Sequence, residues 1–212
     1  MKNNIKILYI RVSENCNSHC FMCHYAGKTD AYNITLDQYK DVLNYAHKNK
    51  IKMIRFTGGE PLIHKNIIEF IKLANEQGLL TSIITNGFLL KRKAKELVDN
   101  GLYECIISLD GSCEEVHDEL RNFKGCFSNI LKGIEELRKG NPNILLRINT
   151  VVSGRNIHDL VNIYKLLIKL NVNQWSIIPV KSKENTWTDD SEKYYKEFLK
   201  AIKNNDDKKL EF

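Results

Sequence analysis

The chain has 212 residues, which suits one well-buried domain and is short for two. Hydrophobic residues make up 42% and charged residues 27%, a balance typical of a soluble globular protein. The formal net charge of +6 is mild and its lysines are scattered, so charge alone does not predict a nucleic-acid partner. The N-terminus lacks the apolar core and cleavage site of a signal peptide, and no apolar run is long enough to span a bilayer. We therefore expect a cytoplasmic protein with no membrane partner.

Apolar, β-branched runs alternate with helical patterns along the whole chain. The predicted strands are Ile5–Val12, Ile51–Thr57, Leu79–Thr85, Tyr103–Asp110, Ile144–Val152 and Val172–Val180. The predicted helical stripes are Leu36, Tyr39, Leu43 and Ala46, after a Thr35–Gln38 capping box; Ala94, Leu97 and Val98; Leu160, Ile163, Tyr164, Leu167 and Ile168; and Tyr195, Phe198 and Ile202. Six successive βα units predict a parallel sheet with outer helices, either flat and doubly wound or curled like a barrel.

Polar residues collect near the C-terminal ends of these strands, where both arrangements place the functional site. They are Thr57, Thr85, Asn86, Ser108, Asp110, Arg147 and Asn149. Polar groups at the same end of several buried strands predict a shared ligand pocket, although ordinary loop polarity at strand ends is the simpler alternative.

Three cysteines lie between the first strand and the first helix. Cys16, Cys20 and Cys23 have the spacing C-x3-C-x2-C, and in a reducing cytosol such a group indicates a metal or redox site. Three thiolates on an iron–sulfur cluster leave one iron open to another ligand. A structural zinc ion completed by His19 or His24 remains the alternative from this loop alone.

Four further motifs follow in order: Thr57-Gly58-Gly59-Glu60-Pro61, Thr85-Asn86-Gly87, Ser108-Leu109-Asp110-Gly111 and Arg147-Ile148-Asn149-Thr150-Val151. With the cysteine loop, they resemble the radical S-adenosylmethionine (radical SAM) superfamily over nearly the whole chain. The resemblance implies an α/β fold of six βα units forming a partial (β/α)6 TIM-like barrel. We expect residues 1–212 to form a single radical SAM core domain, with a tail from about residue 185 forming a helix that flanks the core.

The resemblance also implies the cofactors, a [4Fe–4S] cluster on Cys16, Cys20 and Cys23 and S-adenosylmethionine on its fourth iron. Reductive cleavage would give a 5′-deoxyadenosyl radical that abstracts hydrogen from a substrate. The cofactor-binding residues implied are Gly58, Gly59 and Glu60 for the amino group, Arg147 for the carboxylate, Asn149 and Ser108 for ribose or carboxylate oxygens, and Thr85 beside them. No further catalytic residue is assigned.

The Ser108–Gly111 motif resembles the branch of peptide maturases and the GTP-cyclising molybdenum-cofactor enzyme. That branch implies a peptide or small-molecule substrate and an external electron donor of the flavodoxin or ferredoxin type. Two alternatives stay open, a non-catalytic zinc-binding α/β module and a nucleotide-modifying enzyme of the deazapurine-forming type. Cys105 is predicted to be a core cysteine, Cys113 and Cys126 have no assigned role, and Arg121 lies either near the cofactor carboxylate or on a surface helix.

Overall fold

The computed structural model describes residues 6–180, 187–203 and 210–212. The strands are β1 (Ile7–Ser13), β2 (Met53–Gly58), β3 (Leu80–Thr85), β4 (Glu104–Ser108), β5 (Leu145–Val152) and β6 (Gln174–Pro179). The α-helices are α1 (Leu36–Lys48), α2 (Ile67–Glu76), α3 (Leu90–Asp99), α4 (Glu114–Arg121), α5 (Cys126–Gly140), α6 (Leu160–Lys169) and α7 (Asp189–Lys203).

The six strands form one parallel sheet in the order β1-β2-β3-β4-β5-β6. A doubly wound sheet changes direction at a switch point, so that chain neighbours become separated in the sheet. Here every chain neighbour is also a sheet neighbour. The winding therefore runs in one direction, as in a barrel, and the prediction of a partial barrel is confirmed.

The two faces of the sheet carry different residues because side chains alternate along each strand. In β5, Leu146, Ile148 and Val152 are buried among the core side chains, while the alternate residues are half-buried on the other face. That second face is the inner face of the partial barrel. Arg147 and Asn149 both lie on it.

The hydrophobic core lies between the sheet and the helices. Tyr39 of α1 stacks on Phe70 of α2 with ring centroids 4.3 Å apart, and its hydroxyl donates to the Phe70 carbonyl at 2.9 Å. Phe56 of β2 packs against both rings. Cys105 is fully buried in the same core, which confirms its predicted role.

The predicted elements agree with the observed ones except near their ends. The first predicted strand began at Ile5, which lies outside the described residues, and β1 begins at Ile7. The predicted tail helix appears as α7, from Asp189, and its expected start near residue 185 also lies outside the described residues. Across the described ranges, no helix is both long and apolar enough to cross a membrane.

Candidate functional site

The cysteine loop leaves the C-terminal end of β1 and folds back on itself before α1 begins. Backbone bonds close it, with the Cys16 N–H donating to the Lys28 carbonyl at 3.0 Å and the Gly27 N–H donating to the Ser18 carbonyl at 2.9 Å. Cys20 is 6% exposed, Cys16 is half-buried and Cys23 is exposed. All three thiols are free.

The two glycines after β2 lie directly against the backbone that leads into this loop. The Gly59 N–H donates to the Ser13 carbonyl at 2.8 Å, and the Glu60 N–H donates to the Asn15 carbonyl at 2.8 Å. A Cβ on Gly58 or Gly59 would collide with the Ser13 or Asn15 carbonyl, and Gly58 also has a positive φ of 141°. Glycine is required here so that the ends of β1 and β2 can approach closely.

The Glu60 side chain joins two of the strand-end motifs. Its carboxylate is fully buried and accepts hydrogen bonds from the Leu62 N–H at 2.9 Å, the Thr85 hydroxyl at 2.7 Å and the Asn86 N–H at 2.6 Å. Asn86 in turn donates to the Asn17 side chain of the cysteine loop at 2.8 Å. Burial raises the pKa of Glu60 to about 7, although these donors oppose the shift. Glu60 and Thr85 thus bind protein groups first, and any contact with a cofactor would be additional.

In the segment His117-Asp118-x-x-Arg121, His117 and Arg121 are buried and Asp118 is half-buried, so the surface-helix interpretation is wrong. The His117 Nδ1 accepts from the Asp110 N–H at 3.0 Å, and the Asp118 carboxylate accepts from the Phe127 N–H at 2.8 Å at the start of α5. Arg121 is 9% exposed and forms an ion pair with Asp110 at 2.7 Å. Each of the three side chains therefore ties α4 to a neighbouring element.

A cavity of about 300 Å³ lies between the cysteine loop and the ends of β4 and β5. Its lining includes Met22, Cys23, Tyr25, Ser108, Arg121 and Asn149. The Asn149 Oδ1 is buried and, among the described residues, has no hydrogen-bond partner. A buried acceptor without a donor is costly, so this amide is suited to a ligand that brings one.

A larger cavity of about 640 Å³ lies beside the start of α1, lined in part by Asn33, Thr35 and His64. Both ring nitrogens of His64 are already bonded, one to the Ile34 carbonyl and one to the Asn66 N–H. None of the three clustered cysteines lines this cavity. The smaller cavity is therefore the candidate site.

Arg147 does not line the candidate site. Its guanidinium donates to the Ser176 hydroxyl at 2.6 Å, and it lines a separate cavity with Glu104 and Glu211. Arg147 lies two residues before Asn149 on β5, on the same inner face of the sheet. The cation that lines the cavity beside Cys23 is Arg121, so the assignment of Arg147 to the cofactor carboxylate remains a prediction.

Cys16, Cys20 and Cys23 could each bind a different iron of a cluster without meeting at one point. Among the described residues, no three His, Cys, Asp or Glu side chains converge closely enough to hold one metal ion, as zinc requires. Ligands of a four-iron cluster bind different irons and stand farther apart. Burial raises the pKa of the Cys16 thiol to about 11, with Glu60 adding to the effect, so this thiol holds its proton until a metal displaces it.

Comparison with known proteins decides the family. A model described as the radical SAM superfamily matches residues 10–167, which is most of the chain. The chain belongs to the radical SAM superfamily. Members of this superfamily use a [4Fe–4S] cluster and S-adenosylmethionine, and the zinc-module alternative is not favoured.

The radical SAM chain is similar to several curated enzymes and solved structures. It is 35% identical over 178 residues to GTP 3′,8-cyclase of Clostridium perfringens, covering 78% of this chain and 54% of that protein. It is 29% identical to AdoMet-dependent heme synthase of Oleidesulfovibrio alaskensis, covering 81% of this chain and 45% of that protein. The structure of Streptococcus suis SuiB bound to S-adenosylmethionine superposes with a TM-score of 0.77 at 20% identity, over 97% of this chain and 49% of SuiB. The chain thus spans about half the length of these relatives.

The structure brings together some predicted site residues and adds others. Ser108, Asn149 and Cys23 line one cavity. Gly58, Gly59, Glu60 and Thr85 do not line it: the two glycines pack against the backbone that leads into the cysteine loop, and Glu60 bonds to Thr85. Sequence analysis placed Asp110 among the strand-end polar residues without giving it a role, did not single out Ser18, and left Arg121 open. The signal for Arg121 was its spacing of four residues from His117, which places both on one face of α4.

Proposed function

We propose that this chain is the core of a radical SAM enzyme. It would hold a [4Fe–4S] cluster on Cys16, Cys20 and Cys23 and bind S-adenosylmethionine in the adjoining cavity of about 300 Å³. The observation that carries the proposal is that Cys23 and the unpartnered Asn149 Oδ1 line the same cavity. When bound, this pair of cofactors supplies one-electron reductive cleavage to a 5′-deoxyadenosyl radical, which takes a hydrogen atom from substrate.

The side chains around the cavity would bind and orient the cofactor. The Asn149 amide oxygen would accept from a ribose hydroxyl, and the Ser108 hydroxyl would donate to a carboxylate or ribose oxygen. Gly58 and Gly59 let the end of β2 approach the end of β1, and Glu60 would fix Thr85 and Asn86 while offering its remaining lone pair to the amino group. We keep Arg147 as a proposed partner of the cofactor carboxylate. It lies two residues before Asn149 on β5, on the same face of the strand.

The substrate is proposed to be a peptide or a small metabolite. GTP 3′,8-cyclase and PqqA peptide cyclase are both among the similar enzymes, and SuiB has been solved with its precursor peptide SuiA. The inner face of the sheet carries half-buried side chains such as Val151 and Ser176, so a large substrate has a surface to approach. We propose residues 1–212 to be one core domain flanked by α7.

We further propose that an external flavodoxin- or ferredoxin-type protein delivers the electron and that the protein works in the cytoplasm. The six cysteines at positions 16, 20, 23, 105, 113 and 126 are all free thiols, which supports a reducing compartment. No nucleic-acid partner is proposed.

Anaerobic reconstitution with iron and sulfide tests the proposal. We expect about four irons per chain and, after reduction with dithionite, conversion of S-adenosylmethionine to 5′-deoxyadenosine. Cys20→Ala should abolish that conversion, because only two of the three thiolates that would hold the cluster remain on the loop.

Cys113→Ala is the matched control, because Cys113 lies at the start of α4 away from the loop and should leave the conversion unchanged. Tight binding of one zinc ion, with no cofactor cleavage by the wild-type protein, would contradict the proposal.

A further inference from the structure

Arg121 is held against the cysteine loop from two sides. Its guanidinium forms the 2.7 Å ion pair with Asp110, which is fully buried and also accepts from the Val151 N–H at 2.8 Å. Its backbone carbonyl accepts from the Ser18 hydroxyl at 3.0 Å. The residue is the last of α4, and Asn122 then ends the helix in the left-handed conformation, with φ of 45°.

This placement brings the guanidinium to a cysteine sulfur. The Arg121 Nη1 donates to the Cys20 Sγ at 3.8 Å, and the Ser18 hydroxyl lies 3.0 Å from the same sulfur. Arg121, Ser18 and Cys20 are all buried, so solvent screens these contacts weakly. The guanidinium remains charged in such a site.

The hydroxyl of Ser18 has one proton and two neighbours that accept it. In the free protein it donates to the Arg121 carbonyl, and the Cys20 thiol can donate to the hydroxyl oxygen. A metal-bound Cys20 thiolate has no proton, so the sulfur becomes an acceptor only. The Ser18 hydroxyl and the Arg121 guanidinium are then the two side-chain donors beside that sulfur.

We propose that Arg121 and Ser18 set the reduction potential of the cluster by donating to the Cys20 thiolate. The inference rests on the proposed function, since it requires Cys20 to be a cluster ligand. Both act through Cys20 and are positioning residues. One electron from a low-potential donor enters the cluster, no bond forms or breaks, and the added negative charge strengthens both contacts. The two contacts therefore stabilise the reduced cluster more than the oxidised cluster, and the reduction potential of the cluster rises.

The test is a redox titration followed by electron paramagnetic resonance, on reconstituted protein without S-adenosylmethionine. Arg121→Gln alone leaves the Asp110 carboxylate buried without its cation, so Asp110→Asn/Arg121→Gln is the main variant. The double change keeps the pair neutral while replacing the charged donor to sulfur with a shorter, uncharged amide. We expect the ratio of reduced to oxidised cluster at a fixed solution potential to fall about tenfold, a shift of about 59 mV to lower potential for one electron.

Two further variants make the result decisive. Arg121→Lys keeps a positive charge that can pair with Asp110. It should also lower the reduction potential, because one ammonium cannot reach both the Asp110 carboxylate and the Cys20 sulfur. Arg155→Gln is the matched control, since Arg155 stands 4.9 Å over the Phe21 ring of the same loop but pairs with the exposed Glu119. It should leave the potential unchanged.

The outcomes separate the two proposals. Wild-type protein that takes up no cluster would overturn the proposed function. Wild-type and Arg121→Lys proteins with full iron content and the same potential would overturn this inference alone. A shift in the Arg155→Gln control as large as that of the double variant would also overturn it, because any nearby cation would then suffice.

Discussion

His117 shows how one buried side chain couples this fold to pH. It is fully buried on α4, its Nδ1 accepts from the Asp110 N–H, and its ring lies 6.2 Å from the Phe127 ring. Burial lowers the pKa of His117 to about 3, and the nearby Arg121 charge adds to the shift. The folded protein therefore keeps this imidazole neutral.

The sign of the effect follows from the lowered pKa. The unfolded chain takes up a proton near pH 6.5, whereas the folded chain does so only near pH 3. The stability from the neutral imidazole is thus complete above pH 6.5 and is lost as the pH falls below it, by about 1.4 kcal/mol per pH unit. His117→Asn keeps an acceptor for the Asp110 N–H and removes the titration.

We expect the free energy of unfolding of the wild type, relative to His117→Asn, to fall by about 2 kcal/mol between pH 7 and pH 5. Urea unfolding of the apoprotein at both pH values measures it. His47→Asn, an exposed change in α1, should show no such difference. If wild type and His117→Asn differ in free energy of unfolding by the same amount at pH 7 and pH 5, His117 is not the group responsible for the pH dependence.

Among single residues, the sequence located the three clustered cysteines but not every side chain that contacts them. The spacing of Cys16, Cys20 and Cys23 places them on one loop whatever the fold. By contrast, Arg121 is 101 residues from Cys20 and reaches it only because α4 packs beside the loop. No local pattern distinguishes such an arginine from one on an exposed helix.

The contact between α3 and α5 depends on a residue without a side chain. Gly133 lies buried in the middle of α5, and a Cβ there would collide with Leu90 at the start of α3. Glycine is normally a poor choice inside a helix, costing about 1 kcal/mol relative to alanine. Its presence here indicates that close packing of the two helices outweighs this cost.

Gly133→Ala should therefore destabilise the protein by about 1–3 kcal/mol, although alanine favours the helix itself. Urea denaturation at neutral pH measures the change. Lys132→Ala, at the adjacent exposed position, should stay within about 0.5 kcal/mol of the wild type. A more stable Gly133→Ala protein would show that the helices can move apart freely.

Elements with strong local signals were predicted well. The Thr35–Gln38 capping box is present, with the Gln38 N–H donating to the Thr35 hydroxyl at 3.2 Å and the Thr35 N–H donating to the Gln38 side chain at 2.9 Å. The predicted bounds of β4 were too wide: the prediction ran from Tyr103 to Asp110, whereas the strand covers Glu104–Ser108. Beyond Ser108, the Leu109 N–H still donates to the Asn149 carbonyl of β5 at 3.0 Å, but the Leu109 carbonyl accepts from the Thr150 hydroxyl at 2.6 Å, a tertiary contact that a local pattern does not predict.

A row of polar side chains crosses the inner face of the sheet near the N-terminal ends of four strands. Arg55 of β2 pairs with Glu104 of β4 at 2.6 Å, donates to the Ser82 hydroxyl at 3.1 Å and donates to the Tyr9 hydroxyl at 2.8 Å. The register places these four residues side by side. This row links β1 to β4 at the end of the barrel opposite the candidate site.

Arg55→Met should destabilise the whole sheet by about 3–5 kcal/mol, because it leaves the Glu104 carboxylate buried without a cation. Arg55→Met/Glu104→Leu removes both charges and should cost far less. Denaturant unfolding of the two variants makes the comparison. Equal losses in both would contradict a charge-based explanation and point to packing alone.

The sequence by itself determined the alternation of strand and helix, the cysteine loop and the motifs of the radical SAM superfamily, since these depend on local spacing. Tertiary structure alone decided that the sheet winds in one direction, that Glu60 bonds to Thr85 and Asn86, and that Arg121 rather than Arg147 lines the cavity beside Cys23. The physical reason is that strand order and burial of a charge depend on contacts between residues far apart in the chain. Spacing along a single element carries no information about such contacts.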